Sequence, residues 1–258
     1  MSRYSAMFER LGDDGAFGAF AMLGDPAGPP LEALVDAGAD MIEVGIPFSD
    51  PVADGPVIQA AAQRALAAGV RVADCFDLIS ALRERHSDVP IGILTYANLV
   101  VARPSFMADA AAAGVDSFLI ADVPAIEAAP FARAMQKAAI EPVLIAAGNT
   151  PPDTLKKVAN LSKAYVYCVS RTGITGTHAG GEFDPRLVDA LMEVAAPPAV
   201  FGFGISKSEH VRAALATGAR GVICGSAIVE KAVRGEDVTE LVRTLKAATR
   251  ERVGAAMN

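Results

Sequence analysis

Two carboxylates eleven residues apart, Glu43 and Asp54, bracket the segment EVGIPFSDPVADGP, which follows the apolar pair Met41-Ile42. Side chains alternate along a strand, so Ile42, Val44 and Ile46 share one face and Met41, Glu43 and Gly45 the other. If the first face packs beneath helices, Glu43 stands at the end of its strand and points into a barrel mouth. Partial burial there raises a carboxyl pKa and prepares the group for proton transfer near neutrality. Asp54, on the loop above, could reach over the pocket and bind a substrate N–H whose positive charge grows in the transition state. Each acid also has a plainer reading: Glu43 satisfied by backbone donors or an ion pair, Asp54 as the cap of a helix that Pro56 begins. Asp50 reads as a turn residue.

Three glycine-bearing segments suit a small anion: Gly173-Ile-Thr-Gly176, Gly202-Phe-Gly204-Ile-Ser206 and Gly225-Ser226. Glycine lets backbone N–H groups approach a phosphate, and a helix N-terminus adds a favourable dipole. Other chemistries lack their residues. The seven lysines fall in helices, loops or, for Lys163, the wrong end of a strand, which disfavours a Schiff-base aldolase. His86, His178 and His210 are scattered over helix ends and loops and form no metal-ligand cluster. Cys75, Cys168 and Cys224 include no C-x-x-C pair, and Cys168 and Cys224, within apolar strand-like runs, suit inert packing. What remains is carboxylate acid/base chemistry on a phosphorylated substrate, without metal or covalent cofactor in this chain.

The elements that must position these groups are short β-rich runs alternating with Ala-rich helical stretches. Eight runs are expected, near 17–23, 41–45, 91–96, 117–120, 143–146, 164–169, 199–203 and 221–225. Helical periodicity covers stretches such as 105–113, 126–139, 152–159, 185–194, 208–217 and 238–250. Eight parallel strands close into a TIM barrel, whose chemistry lies at the C-terminal strand ends. The polar groups expected there are Glu43, Asp54, Tyr96, Asn98, Asp122, Tyr167, Ser170 and Arg171, and the glycine segments follow strands 6, 7 and 8. An open doubly wound sheet is the alternative, but no strand leads into a full G-x-G-x-x-G. With no Pro- or Ser-rich linker, residues 1–258 read as one domain.

Composition agrees with a soluble globular protein: 52% of the 258 residues are hydrophobic, 21% are charged, and Trp is absent. A formal net charge of −7 argues against a nucleic-acid footprint. No apolar run is long enough to span a membrane, and Glu9, Asp13 and Asp14 interrupt the place of a signal-peptide core, so a cytoplasmic protein is expected.

Taken together, EVGIPFSDPVADGPVIQ, LTYANLV, IADVP, YCVSRTGITG, FGFGIS and CGSAIV resemble the α-subunit family of tryptophan synthase nearly end to end. The resemblance implies a single (β/α)8 barrel with an additional N-terminal helix. It also implies retro-aldol cleavage of indole-3-glycerol phosphate to indole and glyceraldehyde 3-phosphate, with indole passed to a pyridoxal-phosphate β subunit in an α2β2 complex. By position, Glu43 matches the catalytic acid/base and Asp54 the acid that holds the indole N–H. Phe20, Ile58, Leu94, Tyr96, Leu119, Ala121, Ile145, Tyr167 and Phe203 match pocket positions. Thr175 matches the residue that meets the aspartate on loop closure, and Gly176, Gly204, Gly225 and Ser226 match phosphate binders. The segment 48–53 resembles a partner-facing loop. Met22 stands where the family usually has Thr, and AAGNT at 146–150 replaces a more Pro-rich segment. Another phosphate-binding barrel, of isomerase or indole-glycerol-phosphate synthase type, and a non-catalytic regulatory subunit are the alternatives.

Overall fold

A computed structural model describes residues 1–169 and 183–250. Eight parallel strands among them close a barrel in chain order: β1 (Ala16–Met22), β2 (Met41–Gly45), β3 (Ile91–Thr95), β4 (Ser117–Ile120), β5 (Glu141–Ala147), β6 (Val166–Val169), β7 (Ala199–Phe201) and β8 (Gly221–Cys224). The ring is completed by β8 pairing with β1. The expected strands are all present, with shifted ends. β5 begins at Glu141 because Pro142 sits in the first pair of residues, where a missing N–H is tolerated. β7 stops at Phe201 because the chain turns through Gly204 at φ 77°, a conformation glycine adopts freely.

The helices are α1 (Arg3–Leu11), α2 (Leu31–Asp36), α3 (Pro56–Ala67), α4 (Val72–Arg85), α5 (Ala97–Val101), α6 (Phe106–Ala112), α7 (Ala129–Lys137), α8 (Pro152–Leu161), α9 (Pro185–Glu193), α10 (Ser208–Ala216), α11 (Ser226–Val233) and α12 (Thr239–Ala248). The α3 pattern shows how they form. Ile58, Ala61, Ala62 and Ala65 recur at helical spacing and are buried, and Pro56 opens the helix where no N–H is needed. Arg64, on the same helix, grips Asp25 just past β1 with two bonds of 2.8 and 2.6 Å. That forked pair fixes α3, and so the loop entering it, to the barrel rim.

Two apolar layers result. Phe17, Ile42, Val44, Ile93, Phe118 and Cys168 face outward into the helix-packed core, whereas Phe20, Met22, Met41, Leu119, Val143, Tyr167, Val200 and Ile223 fill the barrel. The inner layer is interrupted by glycines that neighbours overfill. A Cβ on Gly202 would lie 1.9 Å from the Tyr167 ring, and one on Gly92 would lie 2.7 Å from Ser117 Oγ and 2.9 Å from the Tyr4 hydroxyl.

Helix α1, the additional N-terminal helix, closes the N-terminal end. Ser2 caps it by accepting a bond from Ser5 N–H, and its buried Tyr4 and Met7 plug the barrel. The Tyr4 hydroxyl lies 2.9 Å from Ser117 Oγ. Acids directly before strands anchor this end. Asp40 accepts from Phe17 N–H at 2.8 Å and from buried Lys246 of α12 at 2.6 Å. Asp116 takes Arg3, Arg83 and the Ile91 N–H. Cys75, Cys168 and Cys224 are buried free thiols that burial pushes up to about 12, as inert packing residues should be.

Asp40→Asn removes the counter-charge of a lysine that is only 8% exposed. A loss of about 3–5 kcal/mol in urea unfolding is expected, the usual cost of breaking a buried pair. Gly92→Ala should cost about 1–3 kcal/mol by overpacking. Tyr4→Phe in the same background should recover part of that loss in a double-mutant cycle, since it removes the hydroxyl that the new methyl meets.

Candidate active site

Glu43 is the middle residue of β2, not its last, and its side chain lies within the barrel, 3% exposed. The corrected position follows from the alternation itself: β2 ends at Gly45, and Glu43 stands between Phe20 of β1 and Gly92 of β3 in the register. The Tyr165 hydroxyl donates to Glu43 Oε1 at 3.1 Å. Burial, opposed by that bond and assisted by the negative charge of Asp54, pushes the Glu43 pKa up to about 7. A carboxyl poised there exchanges a proton readily at neutral pH. Among the described residues the Tyr165 hydroxyl bonds Glu43, and neither the cation nor the backbone donor of the plainer reading is found there.

Asp54 is 9% exposed and does not cap α3; the cap position is Gly55, and no side chain bonds the first turn. Its Oδ2 accepts from the Tyr96 hydroxyl at 2.8 Å. Burial raises its pKa, and the Tyr96 bond opposes the rise. Glu43 and Asp54 therefore share one electrostatic environment, in which each charge disfavours the other.

The pocket positions expected from the sequence converge around these acids. Phe20, Ile58, Leu119 and Tyr167 are buried in the inner layer, and Leu94, Ala121, Ile145 and Phe203 pack against it half-buried. Tyr96 is buried beside Asp54. Tyr167 donates to the Gly202 carbonyl at 3.2 Å and meets Phe203 edge-on, with ring centroids 5.8 Å apart. Met22, the departure in β1, is buried in the same layer and lies against the space over Gly45. A cleft of about 440 Å³ between α7 and α8 shares Ala121 and Ile145 with the pocket wall, but neither acid lines it.

At the rim, Gly204 takes a positive φ after β7, and Gly225 precedes α11, whose first helical residue is Ser226. No side chain caps that helix; the Ile228 N–H is taken by the Gly225 carbonyl at 2.9 Å, which leaves the Ser226 and Ala227 N–H groups as the ones an anion could meet. Ser170, Arg171, Gly173, Thr175, Gly176 and His178 lie outside the described residues. No group of three or more His, Cys, Asp or Glu able to hold a metal occurs among the described residues.

Tyr165 is the functional neighbour that the sequence reading passed over. It precedes β6 and shares the inward face with Tyr167, so the period-two alternation pointed to it. Tyr167 attracted the assignment, yet Tyr165 is the phenol bonded to Glu43.

A family model for the tryptophan synthase alpha chain matches residues 10–257. The tryptophan synthase alpha chain of Shewanella amazonensis is 48% identical over 257 residues, 95% of this chain and 96% of that protein. The Klebsiella pneumoniae alpha chain is 44% identical over 268 residues, 97% of this chain and 99% of the relative. Among solved structures, Mycobacterium tuberculosis tryptophan synthase superposes with a TM-score of 0.86 at 30% identity, covering 96% of this chain and 98% of that one. The Pyrococcus furiosus tryptophan synthase complex gives a TM-score of 0.79 at 34% identity, covering 92% and 98%. With the closed barrel, the paired acids and a match over nearly the full length, the chain belongs to the tryptophan synthase alpha chain family.

Proposed function

We propose that Glu43 and Asp54 carry out the family's lyase reaction, the cleavage of indole-3-glycerol phosphate to indole and glyceraldehyde 3-phosphate. Protonated Glu43 delivers its proton to indole C3, which turns the ring into an indolenine with a positively charged N–H. Asp54 accepts that N–H and stabilises the charge. The Glu43 carboxylate then takes the proton of the glycerol hydroxyl next to the ring. A carbonyl forms there, the C–C bond breaks, and its electrons return to the ring as neutral indole. Each turnover leaves Glu43 protonated again.

The observation that carries this reading is a carboxyl buried inside an apolar barrel, where burial pushes its pKa up to about 7, with a second buried carboxyl above it. Phe20, Ile58, Leu94, Leu119, Ala121, Ile145, Tyr167 and Phe203 would enclose the indole and glycerol portions. Gly204, Gly225 and Ser226, with Gly176, would bind phosphate, and Thr175 would meet Asp54. The phosphate then supplies binding energy that orients the glycerol chain. Retention of both acids supports catalysis over a purely regulatory subunit.

Three exposed apolar side chains stand on consecutive strand-to-helix connections at the same end of the barrel: Val52 after β2, Val101 at the end of the short helix α5 after β3, and Ile126 after β4, 72%, 68% and 59% exposed. We assign this face to a tryptophan synthase β subunit that uses pyridoxal phosphate and receives the indole, in an α2β2 assembly. No helix among the described residues is long and apolar enough to cross a membrane. We infer separately that residues 1–258 act as one barrel domain and that the reaction is cytoplasmic, as suits a biosynthetic enzyme.

Glu43→Gln should lower indole formation by about 10²–10⁴-fold, because an amide cannot exchange the proton; an indole assay with and without a β subunit measures it, and undiminished activity would overturn the mechanism. The pH dependence has a defined sign. Asp54 must be ionised, so kcat/KM rises as pH climbs through its raised pKa, and Glu43 must start protonated, so kcat/KM falls above about 7. A profile that keeps rising past that point contradicts the assignment. Val52→Asp or Ile126→Asp should weaken association with the β subunit in calorimetry while leaving the basal activity of the isolated chain intact.

A further inference from the structure

The Tyr96 hydroxyl uses both of its hydrogen-bonding roles on one loop. It donates to Asp54 Oδ2 at 2.8 Å and accepts from the Ala53 N–H at 3.2 Å. The ring of the same residue is stacked on Phe48, with centroids 5.1 Å apart and planes inclined by 29°. Both ends of the segment between β2 and α3 are therefore held by one side chain, which is itself 2% exposed. The backbone beyond it is fixed as well, because the Ala97 N–H donates to Asp122 Oδ1 at 2.8 Å from the end of β4. Val52, 72% exposed, adjoins Ala53. The clamp engages Oδ2 of the Asp54 carboxylate, and no hydrogen bond among the described residues is made to Oδ1.

We propose that Tyr96 is a positioning residue, not only a pocket wall: it clamps the β2–α3 loop so that Asp54 presents one carboxylate oxygen to the substrate N–H. The proposal rests on Asp54 binding the indole N–H. A wall needs only the ring, whereas the clamp also needs the hydroxyl. The titratable groups around Asp54 are Tyr96 at the end of β3, Glu43 on β2 and Tyr167 on β6, with Asp122 acting on Tyr96 from the end of β4.

Tyr96→Phe keeps the ring and its stack on Phe48 and removes only the hydroxyl. It should lower kcat/KM for indole-3-glycerol phosphate by about 10- to 100-fold, the effect of one hydrogen bond to a charged group. The acid limb of the profile should move to higher pH, because the carboxylate has lost its donor. Carbon NMR titration of the Asp54 carboxyl in the substrate-free chain should show the same upward shift. A Tyr96→Phe enzyme with an unmoved Asp54 titration and wild-type kcat/KM, beside an inactive Asp54→Asn enzyme, would overturn the clamp and leave the reading of Asp54 intact. Loss of activity without a titration shift would likewise overturn it, reducing Tyr96 to a wall. Full activity of Asp54→Asn would overturn the underlying reading of Asp54, and the clamp with it.

Discussion

Enclosing a carboxyl group inside a barrel of apolar side chains is the constraint on which the rest of the site depends. Burial disfavours the charged form of Glu43, and with Asp54 nearby the free energies of its two forms become nearly equal at neutral pH. That balance serves a residue that must give and then take a proton. It also requires restraint from the surroundings. A cation beside Glu43 would hold it ionised, and removal of the Tyr165 bond would leave a buried carboxyl without a partner. One neutral phenol satisfies the acid without deciding its charge. The second acid works under a gentler version of the same rule, since Asp54 lies nearer the rim and is also held by a phenol.

The two ends of the barrel divide acidic side chains by purpose. At the N-terminal end Asp40 and Asp116 meet lysine, arginine and backbone N–H groups, and their charges are committed to joining helices to strands. Toward the C-terminal end Glu43 and Asp54 meet hydroxyl groups, which leave the protonation state adjustable. Except for Asp25, committed to Arg64 at the C-terminal rim, stability and chemistry are thereby sited apart, so the anchoring groups can be strong without fixing the reacting ones.

Much of this was legible in the sequence, for identifiable reasons. The Ile42/Val44 and Met41/Glu43/Gly45 alternation determines which face of β2 is inward, and the structure places Glu43 there. Turn glycines and prolines marked every strand, although Pro142 concealed the start of β5 and the Gly202-Phe-Gly204 turn shortened β7. Asp54 remained ambiguous because a carboxylate before Gly-Pro suits a helix cap equally well. Only the distance to the Tyr96 hydroxyl, 42 residues along the chain, separates the readings. Tyr165 was missed for a similar reason: its importance lies in a contact across 122 residues that no local pattern encodes.

The glycines of the inner layer give the barrel an uneven capacity for change. Gly18 and Gly45 look onto the apolar ends of Met41 and Ile223, and of Met22 and Phe20. Gly92 and Gly202 look onto tyrosines whose hydroxyl groups are tied to Ser117 and to the Gly202 carbonyl. Unbranched methionine ends can swing aside for a small intruding group, whereas tethered rings cannot. A lineage adapting this pocket to a bulkier or smaller ring therefore has one pliable sector, around β1 and β2, where single substitutions can be absorbed. Around Gly92 and Gly202, drift has to proceed by coordinated replacement of glycine and tyrosine together.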